Sequence, residues 1–195
     1  MALVLRVRVR QIPAREFSRG RRTILLLVPR PANGHYWFMN SEDHLKRLDE
    51  YLYAPGEMAA LDYKSSFDPG SNHDWCELIK DFVAMANSGG GVVIIGVNDD
   101  GSPNGQGIQN VCDLDPSDVY NKIEKYAACR YSDFKIVTKE LHGKLVGCFV
   151  LGEAPIPIVF TKPGTYAVCG SNQQKTAFGQ GTIYFRHGAK SDPSH

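Results

Sequence analysis

The chain has 195 residues, 43% of them hydrophobic, and a net charge of +1, which suits one domain with or without an extension. No apolar run reaches the ~18 residues that a membrane-spanning helix needs, so the sequence predicts no membrane association. Five scattered cysteines without a Cys-x-x-Cys pair exclude a disulfide framework and are typical of reduced thiols in a cytoplasmic protein.

The small net charge hides a division of the chain. Residues 1–30 carry eight arginines and one acidic residue and sum to +7, whereas residues 31–195 sum to −6. An acidic body is a poor generic binder of polyanions, because phosphate affinity needs an excess of cations. If the body binds nucleic acid, it needs a local basic patch, a bound metal ion or the arginine-rich arm.

Residues 1–38 differ in composition from the rest. They are rich in arginine and nearly free of acidic residues, as is typical of a targeting segment or a nucleic-acid-binding arm. A third interpretation is that Met39 is the true start and residues 1–38 are an upstream artefact. The regular pattern begins only after Met39, so we predict that residues 39–195 form the domain and that residues 1–38 are dispensable for folding.

From Asn40 onwards, the pattern alternates between helices and strands. Leucines at helical spacing predict a first helix capped by Asn40 or Ser41 and stopped by Pro55-Gly56. A short strand follows over residues 60–64. Ser71 caps a long amphipathic helix, and an apolar strand over residues 92–97 comes after it.

The second half begins with a helix at Asp115-Pro116. Strands over residues 134–140 and 145–151 flank a turn and predict a hairpin, and later strands are expected over residues 156–160 and 182–186. Residues 163–181 are rich in Gly, Gln and Ser and predict a long mobile loop. Together these elements predict an α/β (α+β) fold, in which a mixed β-sheet with one β-hairpin is flanked by helices.

Four motifs occur in order along the chain. They are Asp62-Tyr63-Lys64, the run of residues 81–90 that ends in Asn-Ser-Gly-Gly, the Gly-Val-Asn-Asp-Asp-Gly of residues 96–101, and a Tyr-Phe-Arg-His-Gly-Ala-Lys-Ser segment near the C-terminus. Together they resemble the Schlafen/Alba-type DNA-binding domain family over about residues 41–195. Two positions depart from the family pattern: Asp62 replaces the usual Glu, and Met85 replaces a common aromatic residue.

The resemblance implies a nucleic-acid-binding domain that acts as a regulatory or defence-associated module, for instance in transcription. The implied partner is DNA or RNA. The resemblance leaves open whether the domain forms a homodimer and whether it belongs to a longer protein with further domains.

The ribonuclease branch of the same family implies an alternative function. Its metal-dependent catalytic trio matches Glu57, Asp62 and Asp99 of this chain, which would hold Mg²⁺ or Mn²⁺ for endoribonuclease chemistry. Simpler interpretations are that Asp99 belongs to an ordinary Asp-Asp-Gly turn and that Asp62 only pairs with Lys64. A protein interaction module without nucleic-acid contact is the third alternative.

Candidate phosphate contacts lie at the ends of two strands. Cations interleaved with aromatic residues can hold phosphate and stack on bases, and a salt-bridged edge strand is the rival interpretation. The candidates are Lys64, Arg186, His187 and Lys190, and Asn87 is added because its amide sits at a helix end. The sequence contains no P-loop, no zinc-ligand spacing and no Gly-x-Ser-x-Gly motif.

Overall fold

The structure is a computed structural model, and it describes residues 38–168, 170 and 173–194. Contacts between Cα atoms divide the chain into two units, Met1–Tyr36 and Trp37–His195, and the fold below is that of the second unit. The prediction that residues 1–38 are dispensable concerns a segment of which only Phe38 is described, so it stays a prediction.

A four-stranded mixed sheet forms the centre of the domain. In the order β1-β2-β4-β3, the first pair is parallel and the other two pairs are antiparallel. This sheet and the helices on it confirm the predicted α+β fold and its hairpin, whose turn residues His142 and Gly143 both have positive φ. The strands are β1 (Leu61–Lys64), β2 (Gly91–Ile95), β3 (Phe134–Leu141) and β4 (Lys144–Leu151).

Side-chain capping sets the start of the main helices. Asn40 forms a capping box with Asp43, Ser71 accepts from the backbone of Asp74, and Asp115 accepts from the backbone of Ser117. The predicted first helix is divided into two short helices at residue 47. The helices are α1 (Ser41–Lys46), α2 (Leu48–Leu52), α3 (Asn72–Ala86), α4 (Ile108–Cys112) and α5 (Pro116–Ala127).

The sheet has an apolar core on each face, because successive side chains of a strand point to opposite sides. Leu61 and Tyr63 of β1 belong to the core that includes α2, and α3 and α5 contribute to the core on the other face. Asp62 and Lys64 therefore point toward α3. None of the helices among the described residues is long and apolar enough to cross a bilayer.

Two small antiparallel hairpins complete the domain: β5 (Gly164–Ala167) with β6 (Gln174–Phe178), and β7 (Ile183–His187) with β8 (Lys190–Ser194). The first pair corrects the prediction of a long loop over residues 163–181. This hairpin packs on the domain through the ring of Phe178, whose centroid lies 3.8 Å from that of Phe160 and 5.2 Å from that of Tyr126. Residues 156–160, all of which the structure describes, do not form the predicted strand.

Candidate functional site

Side chains from β1, α3, β7 and β8 meet in a closed ring of hydrogen-bonded polar groups. Arg186 Nη1 donates to Asp62 Oδ1 at 3.0 Å, and Lys64 Nζ donates to Asp62 Oδ2 at 2.5 Å. The same ammonium lies 2.7 Å from Asp81 Oδ2, whose other oxygen accepts from Ser191 Oγ at 2.9 Å. Arg186 Nη1 also donates to Ser191 Oγ at 3.2 Å, and this contact closes the ring. We call these five residues the buried charge ring.

The buried charge ring is neutral and largely removed from water. Of its four charged side chains, those of Arg186, Asp62 and Asp81 are 1%, 6% and 7% exposed, and that of Lys64 is 27% exposed. Burial alone would lower the pKa of Lys64, but the carboxylates of Asp81 and Asp62 outweigh it and raise that pKa. The Lys64 ammonium therefore keeps its charge at neutral pH, and the two carboxylates of the ring compensate it.

Arg186 also bonds to the backbone at the outer edge of β1. Its Nη2 donates to the carbonyl oxygens of Leu61 and Met58 at 3.2 and 3.4 Å. Its Nε is buried without a hydrogen-bond partner among the described residues. Glu57 binds the same edge, because its Oε1 accepts from the backbone N–H of Tyr63 at 2.8 Å.

The three predicted catalytic acids have different surroundings. Asp62 belongs to the buried charge ring, Glu57 binds the edge of β1, and Asp99 is exposed in a turn closed by the bond from Gly101 N to Asn98 O. In the part of the chain that the structure describes, no group of three His, Cys, Asp or Glu side chains is placed to hold a metal ion. The three-carboxylate site stays a prediction.

The five predicted nucleic-acid contacts lie in three different surroundings. Lys64 and Arg186 lie in the buried charge ring. Asn87 joins the end of α3 to two other segments, because its Nδ2 donates to the carbonyls of Ile158 and Tyr184, both at 3.0 Å, and its Oδ1 accepts from Ile158 N. His187 and Lys190 are exposed on either side of the β7–β8 turn. Only this second pair is free to meet a large ligand without rearrangement.

Sequence reasoning missed Asp81 and Ser191 as members of the ring. Asp81 is 5% exposed and stands between the buried residues Ile79 and Phe82 of α3. An acidic residue inside an apolar helical face is a usable signal, because a buried carboxylate needs a partner. Ser191 offered no such signal, since its role depends on how the β7–β8 hairpin packs against α3.

A second feature is a group of lysines that take no part in the ion pairs recorded for the described residues. Among the described residues, the lysines without a carboxylate within ion-pair distance are 122, 125, 144, 162, 175 and 190. Four of these lie on segments that meet at Tyr126: Lys122 and Lys125 lie on α5, Lys162 N donates to the Tyr126 carbonyl, and Lys175 lies on β6, whose Phe178 ring packs on Tyr126. We call these four residues the α5–β6 lysine surface.

Aromatic rings lie directly beneath this surface. The Lys122 ammonium is 4.9 Å from the centroid of the Trp75 ring, Lys125 is 4.6 Å from Tyr126, and Lys175 is 6.0 Å from Tyr166. Burial, and then the charge of Lys125, lower the pKa of Lys122, as expected where like charges gather.

Acidic neighbours offset this surface only in part. Glu77 accepts from the Tyr166 hydroxyl at 2.8 Å and is paired with Lys80, and Glu124 lies 3.6 Å from Arg130. Asp118 is an exposed acid on α5 without an ion-pair partner among the described residues. The surface keeps a local excess of positive charge on a domain that is acidic as a whole.

Comparison with known families decides the classification. The model of the family described as Schlafen, AlbA_2 matches residues 57–194, which is more than half of the chain. The chain belongs to the Schlafen AlbA_2 family. The match confirms the family that the sequence motifs indicated and supports a domain associated with nucleic acid. A search of curated proteins gave no significant match.

A solved structure is similar to this AlbA_2 chain in fold. It is the crystal structure of the DIP2311 protein from Corynebacterium diphtheriae, with a TM-score of 0.50 and 18% sequence identity. The match covers 78% of this chain but only 26% of that chain. This AlbA_2 chain therefore spans about a quarter of the length of that protein, and the likeness extends to the fold alone.

Proposed function

We propose that this AlbA_2 domain binds DNA or RNA and that the α5–β6 lysine surface supplies its main phosphate contacts. The observation that carries the proposal is the grouping, around one tyrosine, of four lysines that have no carboxylate partner in the described part of the chain. Phosphate binding depends on cations whose charge is available, and aromatic rings beside them suit the sugar and base faces of a strand.

The buried charge ring is a poorer candidate for this contact. Arg186 and Lys64 already have carboxylate partners at 3.0 Å or less. A phosphate could reach Arg186 only by displacing Asp62 and leaving that carboxylate buried without its partner, which is strongly unfavourable. We assign the ring to holding the domain together and leave binding to exposed groups, with His187 and Lys190 as secondary contacts.

Binding of a labelled oligonucleotide by the full chain, measured by fluorescence anisotropy at several salt concentrations, tests the proposal. Each of Lys122→Ala, Lys125→Ala, Lys162→Ala and Lys175→Ala should weaken binding about equally for all sequences and lower the salt slope by roughly one unit. The residues 1–30 arm is present in every variant, so its contribution cancels from the comparison.

Matched controls come from lysines that have carboxylate partners. Lys46 and Lys139 are exposed but lie 3.2 and 3.8 Å from Asp43 and Asp49, so Lys46→Ala and Lys139→Ala should leave affinity and slope unchanged. Equal affinity and slope in all four surface variants would overturn the proposal. Binding of neither DNA nor RNA by the unaltered chain would instead favour an interaction module.

A further inference from the structure

An open cavity of about 560 Å³ adjoins the α5–β6 lysine surface, with which it shares Lys175. It lies between the start of α3 and the β5–β6 hairpin. Its size is within the range of sites for small organic ligands. Its lining includes Asn72, His73, Tyr166 and Val168 in addition to Lys175.

Two aromatic rings form a corner in this cavity. The rings of His73 and Tyr166 have centroids 4.5 Å apart and stand at 89° to each other. The His73 side chain is 55% exposed, so its ring is open to a ligand, whereas Tyr166 is buried and serves as the floor. Val168, which is 38% exposed, adds apolar surface at the same place.

The position of His73 is fixed in advance. Asp74 Oδ1 lies 2.8 Å from His73 Nδ1 and also accepts from Ser71 Oγ, and Asp74 Oδ2 accepts from the backbone N–H of Asp68. Burial opposes ionisation of Asp74, but these hydrogen bonds outweigh it and lower the pKa of its carboxyl. A charged carboxylate with several hydrogen bonds therefore holds the imidazole in place. Ligand binding then costs little side-chain entropy at His73.

The remaining groups suit the polar parts of a nucleotide. The Asn72 amide is oriented by its bond from Nδ2 to the Thr165 carbonyl at 2.7 Å, and amides can read the donor and acceptor edge of a base. Lys175 brings a cation without an ion-pair partner among the described residues. Glu77, the nearby acid, is compensated by Lys80 and by the Tyr166 hydroxyl.

We propose that this cavity takes one unpaired nucleobase of a nucleic-acid strand, packed against His73 and Val168, with the adjoining phosphate on Lys175. The proposal rests on the proposed function and deepens it, because it makes the substrate class single-stranded or looped nucleic acid. A base inside a duplex is paired and stacked, so it cannot pack against these side chains without being extruded.

The experiment compares a short single-stranded oligonucleotide with its blunt duplex at one salt concentration. The single strand should bind at least tenfold more tightly. His73→Ala should weaken single-strand binding about tenfold, within the range for loss of one base–aromatic contact, and leave duplex binding unchanged. His73→Phe, which keeps an aromatic ring, should retain most of the affinity, and His142→Ala, at an exposed histidine of the β3–β4 turn, is the matched control.

A strand with abasic sites in place of its bases separates base contact from phosphate contact. Unaltered protein and His73→Ala should bind this strand equally. The proposal is wrong if His73→Ala binds the intact strand as well as the unaltered protein does. It is also wrong if a nucleoside monophosphate competes as effectively as the strand, because the cavity would then be a site for free nucleotides. In either case, a weakened set of lysine variants would leave the proposed function standing, whereas unchanged lysine variants would remove it.

Discussion

The guanidinium of Arg186 lies 3.0 Å from the carboxylate of Asp62, although 124 residues separate them along the chain. Asp62 is on the first strand of the central sheet, and Arg186 is on a peripheral hairpin. The contact is buried, and the hairpin extends it through Ser191 to Asp81 of α3. Much of what fastens the β7–β8 hairpin to the domain is therefore electrostatic.

Arg186→Met should destabilise the domain by about 3–5 kcal/mol, because it leaves Asp62 as a buried carboxylate with one fewer cation. Urea unfolding followed by the fluorescence of buried Trp75 measures the change. Lys46→Ala, which removes an exposed ion pair, should leave the midpoint unchanged. The double variant Asp62→Leu with Arg186→Met should recover part of the loss, and a double variant less stable than the single one would contradict this account.

Stability should decrease as the pH falls below about 6.5, because His44 is buried as a neutral imidazole. Gly89 O can only accept, so Nε2 donates to it at 2.9 Å and Nδ1 accepts from the Tyr51 hydroxyl at 2.8 Å. Burial lowers the pKa of His44 in the folded state. The unfolded chain therefore binds the proton first, so a falling pH stabilises the unfolded state relative to the folded one.

Urea unfolding at pH 7 and pH 5 checks this expectation. In His44→Gln, which cannot titrate, the decrease between the two pH values should be smaller. An equal decrease in both proteins would assign the pH dependence to other groups.

Gly89 and Gly90 provide a matched pair for the glycine turn after α3. Both have positive φ, +97° and +81°, so alanine at either position should cost about 1–2 kcal/mol from the backbone alone. A Cβ at Gly90 would also lie 2.4 Å from the Leu151 carbonyl oxygen and 2.7 Å from His44 Nε2, whereas a Cβ at Gly89 meets nothing within 4 Å. We expect Gly90→Ala to be less stable than Gly89→Ala by a further 1–3 kcal/mol, about the cost of overpacking. Equal stability would place the strain elsewhere.

Asp99→Asn separates the nuclease alternative from a structural effect. Asp99 is exposed, so this variant should unfold at the same urea concentration as the unaltered chain. If the chain cleaves structured RNA with Mg²⁺ or Mn²⁺, loss of cleavage in Asp99→Asn at unchanged stability would support the trio with Glu57 and Asp62. Cleavage by neither the unaltered chain nor the variant, with either metal, would remove the alternative.

Most helices and strands of the core could be predicted from local signals in the sequence. Caps such as Ser71 and Asp115, the apolar face of α3 and the turn at His142-Gly143 each act within a few residues, so a pattern can display them. The β5–β6 hairpin depends on Phe178 packing against Phe160 and Tyr126. Neighbouring residues in the sequence give no signal of this packing.

The site followed the same division. Asp62 and Lys64 could be predicted together because they are two residues apart on one strand and so point to the same face. Their partners were not, since Asp81 and Ser191 come from distant segments that meet only when the β7–β8 hairpin packs on α3. The cavity beside His73 likewise depends on the β5–β6 hairpin. The Gly, Gln and Ser content of residues 163–181 had predicted a loop there instead.

Glu57 and Arg186 both bond to the outer edge of β1, and this affects the solubility of the domain. An edge strand with free backbone groups is a template for pairing with another chain, and here Glu57 covers the Tyr63 N–H while Arg186 and Met58 bond to the Leu61 carbonyl. If the β7–β8 hairpin detached, that carbonyl would lose its guanidinium cover and the Asp62 carboxylate its buried cation. Glu57 and Met58 would then be the remaining cover of this edge, so variants that loosen the hairpin, such as Arg186→Met, should aggregate more readily than the unaltered chain.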